Sequence, residues 1–200
     1  PAANATVGTH IISIYTSLPN GEADQFTQND TLRKTFSVFS TAPTSTPVSE
    51  GFEDAPFPKN NWGVYNVDGG TTWESTSESA KTGIKSMVIR NSSLGNTNGA
   101  VDYFISPIIA NNCSFDSLFV DFDLAYRPGV QYPGSTVFPL DTLEILATSD
   151  CGATFTSIWK KFGFELQTVN DPNYTFTDIY VPRQQEEWRA NRIYLTPFVG

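Results

Sequence analysis

The chain is poor in the residues that most often do chemistry, with one His, two Cys and one Met among 200 residues. A single histidine, His10, cannot build a His-rich zinc centre. A Ser–His–Asp or Cys–His site would need it beside a nucleophile from a distant segment. Charge is also sparse and unbalanced: 16% of residues are charged, and 12 Lys+Arg against 21 Asp+Glu leave a net charge of −9. No basic stripe is visible, which excludes a nucleic-acid partner, because neutralising phosphates needs clustered cations. No apolar run approaches the roughly 18 to 20 residues that span a bilayer, so no transmembrane segment is expected. Pro1-Ala2-Ala3-Asn4 lacks both the positive and the apolar region of a signal peptide. The expectation is a piece of a longer polypeptide, with flanking domains, that works secreted or on a cell surface.

What is present favours strands. Aromatics reach 14% and hydrophobic residues 39%, set among Thr, Ser, Asn, Gly and Pro rather than the Ala, Glu and Lys of long helices. His10 to Tyr15 and Thr31 to Phe39 read as strands, with turn chemistry at Leu18-Pro19-Asn20-Gly21 and Gln28-Asn29-Asp30. Two strands are marginal in water on their own, so residues 1–40 read as the C-terminal part of an immunoglobulin-like domain. Residues 41–47, Thr-Ala-Pro-Thr-Ser-Thr-Pro, have the composition of a linker. From residue 48 onward short strands alternate with turns, with candidates at Val48 to Phe52, Trp62 to Val67, Ile84 to Arg90 and Val101 to Ser106. Leu118, Val120, Phe122, Leu124 and Tyr126 alternate with polar positions that include Asp121 and Asp123. Leu143, Ile145 and Ala147 repeat the pattern, the mark of a half-buried antiparallel strand. The predicted fold class is all-β, a β-sandwich of jelly-roll type over 48–200, preceded by a partial immunoglobulin-like β-sandwich.

Cys113 precedes the run Leu118 to Tyr126, and Cys151 follows the run Leu140 to Thr148. If those strands are antiparallel neighbours the two sulfurs meet. A disulfide closing about 38 residues would add roughly 4 kcal/mol on the chain-entropy model and would imply an oxidising compartment. Two free thiols are the alternative. The same pairing would set Asp121 opposite Glu144, the one carboxylate pair with glycosidase-like prospects. Two solvated surface acids, with a shifted register or a Lys or Arg neighbour, are the simpler account, and no catalysis is expected.

Gly51-Phe52-Glu53-Asp54, Pro58, Trp62 and Val67-Asp68-Gly69-Gly70-Thr71-Thr72-Trp73 resemble the opening of cleaved-adhesin, or choice-of-anchor, modules. Such modules are similar in plan to MAM domains and belong to surface proteins of the type IX secretion route. Ile105-Ser106-Pro107, Asp141 to Ile145, Ser149 to Thr154 and Trp188 to Gly200 extend the resemblance across about 48–200. It implies a jelly roll, here lacking the last strands of that family, and a structural cation near Glu53, Asp54 and Asp68. Those three carboxylates and the Gly69-Gly70 turn also suit the hard oxygen shell of Ca²⁺, although an ordinary Asp-Gly turn explains them as well.

Four tryptophans, Trp62, Trp73, Trp159 and Trp188, suit either a core or a sugar-stacking platform, and core is favoured for all but Trp159. The long Pro/Gly-rich loop from Tyr126 to Gly134 is the better recognition candidate, with Tyr126, Arg127 and Tyr132 as contacts; a variable connection is the alternative. Asp30-Thr31-Leu32, Asp116-Ser117-Leu118 and Asp141-Thr142-Leu143 resemble bacterial O-glycosylation sites. The expected function is a non-catalytic, adhesin-like module that recognises a glycan or a protein. The alternative is a spacer carrying a distant catalytic domain such as a metalloprotease.

Overall fold

The computed structural model describes residues 5–18, 21–26, 28, 30–59, 61–91, 99–110, 117–129, 140–170 and 179–195. Twelve strands run through them: β1 Gly8–Tyr15, β2 Thr31–Val38, β3 Thr44–Ser45, β4 Gly63–Asn66, β5 Glu74–Thr76, β6 Ser86–Val88, β7 Asp102–Ile105, β8 Ile109–Ala110, β9 Phe119–Leu124, β10 Thr142–Ala147, β11 Thr156–Phe162 and β12 Arg189–Tyr194. Complete 3₁₀ turns lie at Gly163–Glu165 and Gln185–Glu187. Among the described residues no helix is long and apolar enough to cross a membrane.

The all-β expectation stands, but the sandwich does not. The strands pair two by two, as β1–β2, β3–β8, β4–β7, β5–β6, β9–β12 and β10–β11, and among the described residues no ladder extends to a third strand. Neither a jelly roll nor an immunoglobulin-like sandwich is formed. The physical reason lies in strand length and exposure. Six of the strands are two to four residues long, well short of the usual five or six or so. Apart from Gly and Pro, only Leu166 and Ile193 are buried among the described residues, while Ile11, Ile14, Tyr15, Leu32 and others stay open to solvent. The candidate strand Val48 to Phe52 is not one: Phe52 takes a left-handed φ of 63° and donates its N–H to the Glu50 carboxylate, so the chain turns there.

One of the longer strands alternates throughout as the sequence predicts. In β10, Leu143, Ile145 and Ala147 are half-buried while Thr142, Glu144 and Leu146 face out. In β1–β2, opposed residues share a face, so Ile12, Ile14, Leu32 and the stacked pair His10–Phe36 line one side of the ribbon. The segment expected to be a linker is docked: Thr44 and Ser45 pair in parallel with Ile109 and Ala110. Beside it Phe39 lies over Gly63, whose missing side chain makes room for the ring. The Gly63 position in turn sets β4 against β7, beneath the aromatic cluster of Phe52, Phe57, Trp62 and Phe104.

A Cβ at Gly63 would overlap the Phe39 ring, which is wide and has no flexible end to withdraw. Gly63→Ala is expected to lower stability by about 1–3 kcal/mol, the usual cost of overpacking. Adding Phe39→Ala should make the alanine nearly neutral by comparison with Phe39→Ala alone. Chemical denaturation of the four proteins measures the coupling.

Candidate functional surface

One face of the β9–β12 ladder presents aromatic and charged side chains together. The ladder is antiparallel and regular, with Tyr194 opposite Phe119, Arg192 opposite Asp121 and Ala190 opposite Asp123, and Leu195 N–H extends it by donating to the Leu118 carbonyl at 2.7 Å. Period-two alternation puts these three pairs on one face. The other face carries Ile193, 5% exposed, and Phe122, which meets Trp159 of β11 edge-on at 5.5 Å. One side of the ladder is therefore packed, and the other is presented to solvent.

The presented side is chemically mixed. Phe119 and Tyr194 are 43% and 62% exposed, set edge-on with ring centroids 6.4 Å apart. Arg192 forms a two-pronged pair with Asp121, Nε to Oδ1 at 2.7 Å and Nη2 to Oδ2 at 2.6 Å. Its guanidinium carbon also lies 4.0 Å from the Phe119 ring centroid. Hydrogen bonding from Arg192 holds the Asp121 carboxyl below its ordinary range, and Asp121 in turn raises the guanidinium. Both groups are solvated, so their attraction orients the fork more than it stabilises the chain. Asp123 accepts no hydrogen bond among the described residues. A shallow concavity of about 310 Å³ opens here, lined by Asp121, Phe122, Asp123, Ala190, Asn191 and Arg192.

Of the sequence-derived recognition residues, Tyr126 has contacts that tie segments of the chain together. Tyr126, just beyond the end of β9, is half-buried: its hydroxyl donates to Asp141 Oδ2 at 3.0 Å and accepts from the Asp141 N–H at 3.2 Å. Its backbone is bound both ways to Thr168. Burial, and then the Asp141 carboxylate, push the phenol well above its usual pKa. Asn91 donates to the other Asp141 oxygen at 2.9 Å. Tyr126 is thus a tie between the segments at 91, 141 and 168. Arg127 follows it in the chain, and Tyr132 lies outside the described residues.

Glu53, Asp54 and Asp68 are not brought together. Glu53 Oε1 accepts from the N–H groups of Ile84 and Lys85 at 3.0 and 3.1 Å. Asp54 pairs with Lys59 at 2.9 Å, and Asp68 caps its own turn by accepting from the Gly70 N–H at 2.8 Å. Among the described residues no three His, Cys, Asp or Glu side chains gather as a metal site. The carboxylate pair also dissolves, because β9 pairs with β12 and β10 with β11. Asp121 meets Arg192, and Glu144 meets Lys160 at 3.1 Å. His10 donates from Nε2 to the Thr6 carbonyl at 2.6 Å.

The expected disulfide is overturned for the same reason. With β9 and β10 not paired, nothing carries the two cysteines to one edge, and Cys151 is a free, exposed thiol. Cys113 lies outside the described residues. Cys151 sits at a left-handed φ of 58° in a turn organised by Asp150, which accepts from Thr148 Oγ1 at 2.7 Å, from Thr154 N–H at 2.9 Å and from Thr154 Oγ1 at 2.6 Å.

Two results are expected from this turn. Native protein treated with iodoacetamide without reductant should gain a label at Cys151 by peptide mass mapping; an unlabelled residue 151 would restore the bridge. The Thr154 hydroxyl, foremost among these donors, lowers the Asp150 pKa from 3.8 to about 2. A depressed folded-state pKa adds stability that is complete above the unfolded value and is lost as pH falls through the folded one. Melting temperature should therefore drop between about pH 4 and pH 2, and Asp150→Asn should flatten that drop while lowering stability at neutral pH.

Comparison of the chain with protein-family models, curated proteins and solved structures returns no match.

Proposed function

We propose that this chain is a non-catalytic, adhesin-like recognition module of a larger secreted or cell-surface protein, and that the outer face of β9–β12 contacts glycan. The supporting observation is the exposed pair Phe119 and Tyr194 flanking the Arg192–Asp121 fork on one face of a ladder whose opposite face is packed. Sugars present apolar C–H faces and rims of hydroxyls. Aromatic rings stack on the first, and fixed carboxylate and guanidinium groups hydrogen-bond the second. Tyr194 offers the more exposed ring, Asp123 an open acceptor, and Arg192 donor atoms already held in place.

The net charge of −9 opposes polyanionic glycans, so neutral oligosaccharides are the preferred class. The likeness of Gly51 to Asp54 and of Val67 to Trp73 to adhesin-module openings supports the same placement outside the cell. The Asp121 and Glu144 carboxylates each sit beside a basic partner, which favours recognition over hydrolysis.

A glycan array probed with the intact chain tests the proposal. Reproducible binding to neutral oligosaccharides is expected, reduced at least tenfold or so by Tyr194→Ala, in line with the loss of one stacked ring. Arg192→Ala should weaken it further, while both variants keep the parent melting temperature within a few degrees. Silence across the array would favour a spacer without a ligand of its own, and turnover of any bound sugar would overturn the non-catalytic assignment.

A further inference from the structure

A second concavity, sharing no residue with the β9–β12 face, carries a more specific chemistry. It encloses about 260 Å³, and Thr44, Pro47, Glu50, Lys59, Asn61 and Trp62 line it. Its walls are fixed by the fold. Thr44 is held by the parallel β3–β8 ladder, and its N–H donates to the Ile108 carbonyl at 2.7 Å. Trp62 closes the turn from Lys59 by donating its N–H to that residue's carbonyl at 3.0 Å. One face of the Trp62 ring is covered by Phe104, with centroids 5.0 Å apart.

The Glu50 carboxylate is the unusual group. Its side chain is only 7% exposed. Oε1 accepts the Phe52 N–H at 2.6 Å, but Oε2 is closed to solvent and accepts no hydrogen bond among the described residues. Lys59 Nζ stands 3.7 Å from Oε2, beyond hydrogen-bond length, and instead leans to Asp54 Oδ2 at 2.9 Å. A buried carboxylate oxygen with an ammonium at ion-pair distance but no hydrogen-bond donor keeps part of its desolvation cost, which a donor from a bound molecule would reduce.

We infer that this cavity binds one neutral polyol unit, a single pyranose ring of a glycan or free sugar. Charge decides the class. An incoming anion meets Glu50 and Asp54, whereas an incoming cation meets Lys59. A hydroxyl is donor and acceptor at once, so one hydroxyl donates to Glu50 Oε2 and accepts from Lys59 Nζ. The Lys59 side chain, 47% exposed, is the wall that moves aside toward Asp54 to admit it. The Asn61 carboxamide and Thr44 hydroxyl serve neighbouring hydroxyls, and the open part of Trp62 packs on the ring carbons. The volume of about 260 Å³, at or just under the low end of the roughly 300–1,000 Å³ of drug-sized ligand sites, suits an occupant of about one sugar ring.

Saturation-transfer NMR and titration calorimetry with methyl glucoside, galactoside, mannoside and N-acetylglucosaminide on the intact chain test the inference. At least one is expected to bind with Kd near about 1 mM. Glu50→Gln, which replaces the acceptor with an amide, should weaken it roughly tenfold or more, and Lys59→Met, with its fold checked by melting temperature, should do the same. Tyr194→Ala should leave it unchanged, which separates this pocket from the β9–β12 face. No binding by any of the four sugars would overturn the inference. Binding that survives Lys59→Met and a folded Glu50→Gln, or that is lost in Tyr194→Ala, would overturn it too.

Discussion

The Arg189 guanidinium donates to three consecutive carbonyls, those of Glu165, Leu166 and Gln167, and much of the ordered architecture hangs from that clasp. It satisfies backbone acceptors that a tight turn would otherwise leave without partners. One of these carbonyls belongs to Leu166, the most buried side chain described. The turn itself follows β11 directly, through a left-handed Gly163 whose N–H donates to the Asp141 carbonyl. Arg189 opens β12, so one side chain ties the β10–β11 ladder to the β9–β12 ladder. On the same strand Arg192 and Tyr194 point the other way, so the clasp also fixes the platform that carries the proposed contact surface. A recognition surface needs such support, since preorganised groups give up less freedom on binding.

Elsewhere the chain relies on the same device in smaller form. Glu53 holds the amides at 84 and 85, Tyr126 joins 141 to 168, and Ser79 and Lys81 donate to carbonyls at Pro182 and Gln185. Two-strand ladders bury too little apolar surface to stand alone. Side chains that bond distant backbone groups therefore take over part of the work that a continuous sheet would do. Several residues with functional promise in the sequence are recruited to this structural task, among them Glu53 and Tyr126.

What the sequence made legible was local. Alternation in Leu118 to Tyr126 and in Leu143 to Ala147 located β9 and β10 and named their inward faces, because a period of two is a property of the strand itself. Pairing was not legible, because alternation says which face a residue occupies and not which strand lies alongside. Reading Leu118 to Tyr126 and Leu140 to Thr148 as neighbours produced the disulfide and the carboxylate pair in one step, and both failed together when β12 took the place beside β9. The outer-face residues escaped notice for a related reason. Phe119 and Tyr194 lie 75 positions apart in sequence, and only the register sets them opposite one another. A usable signal was present, in that Phe119 falls out of phase with the apolar positions of its own strand. Glu50 gave none, since its burial depends on the turn that Phe52 makes.

Hydrogen exchange followed by mass spectrometry tests most directly whether the proposed recognition face rests on the chain's most rigid unit. Amides of β9, β12 and the Gly163 to Thr168 turn should be the last to exchange, well after the β1–β2 ribbon, whose apolar face is open to solvent. Equal or faster exchange in β9–β12 than in β1–β2 would contradict this account, because the clasp would then not be holding the surface that it is said to present.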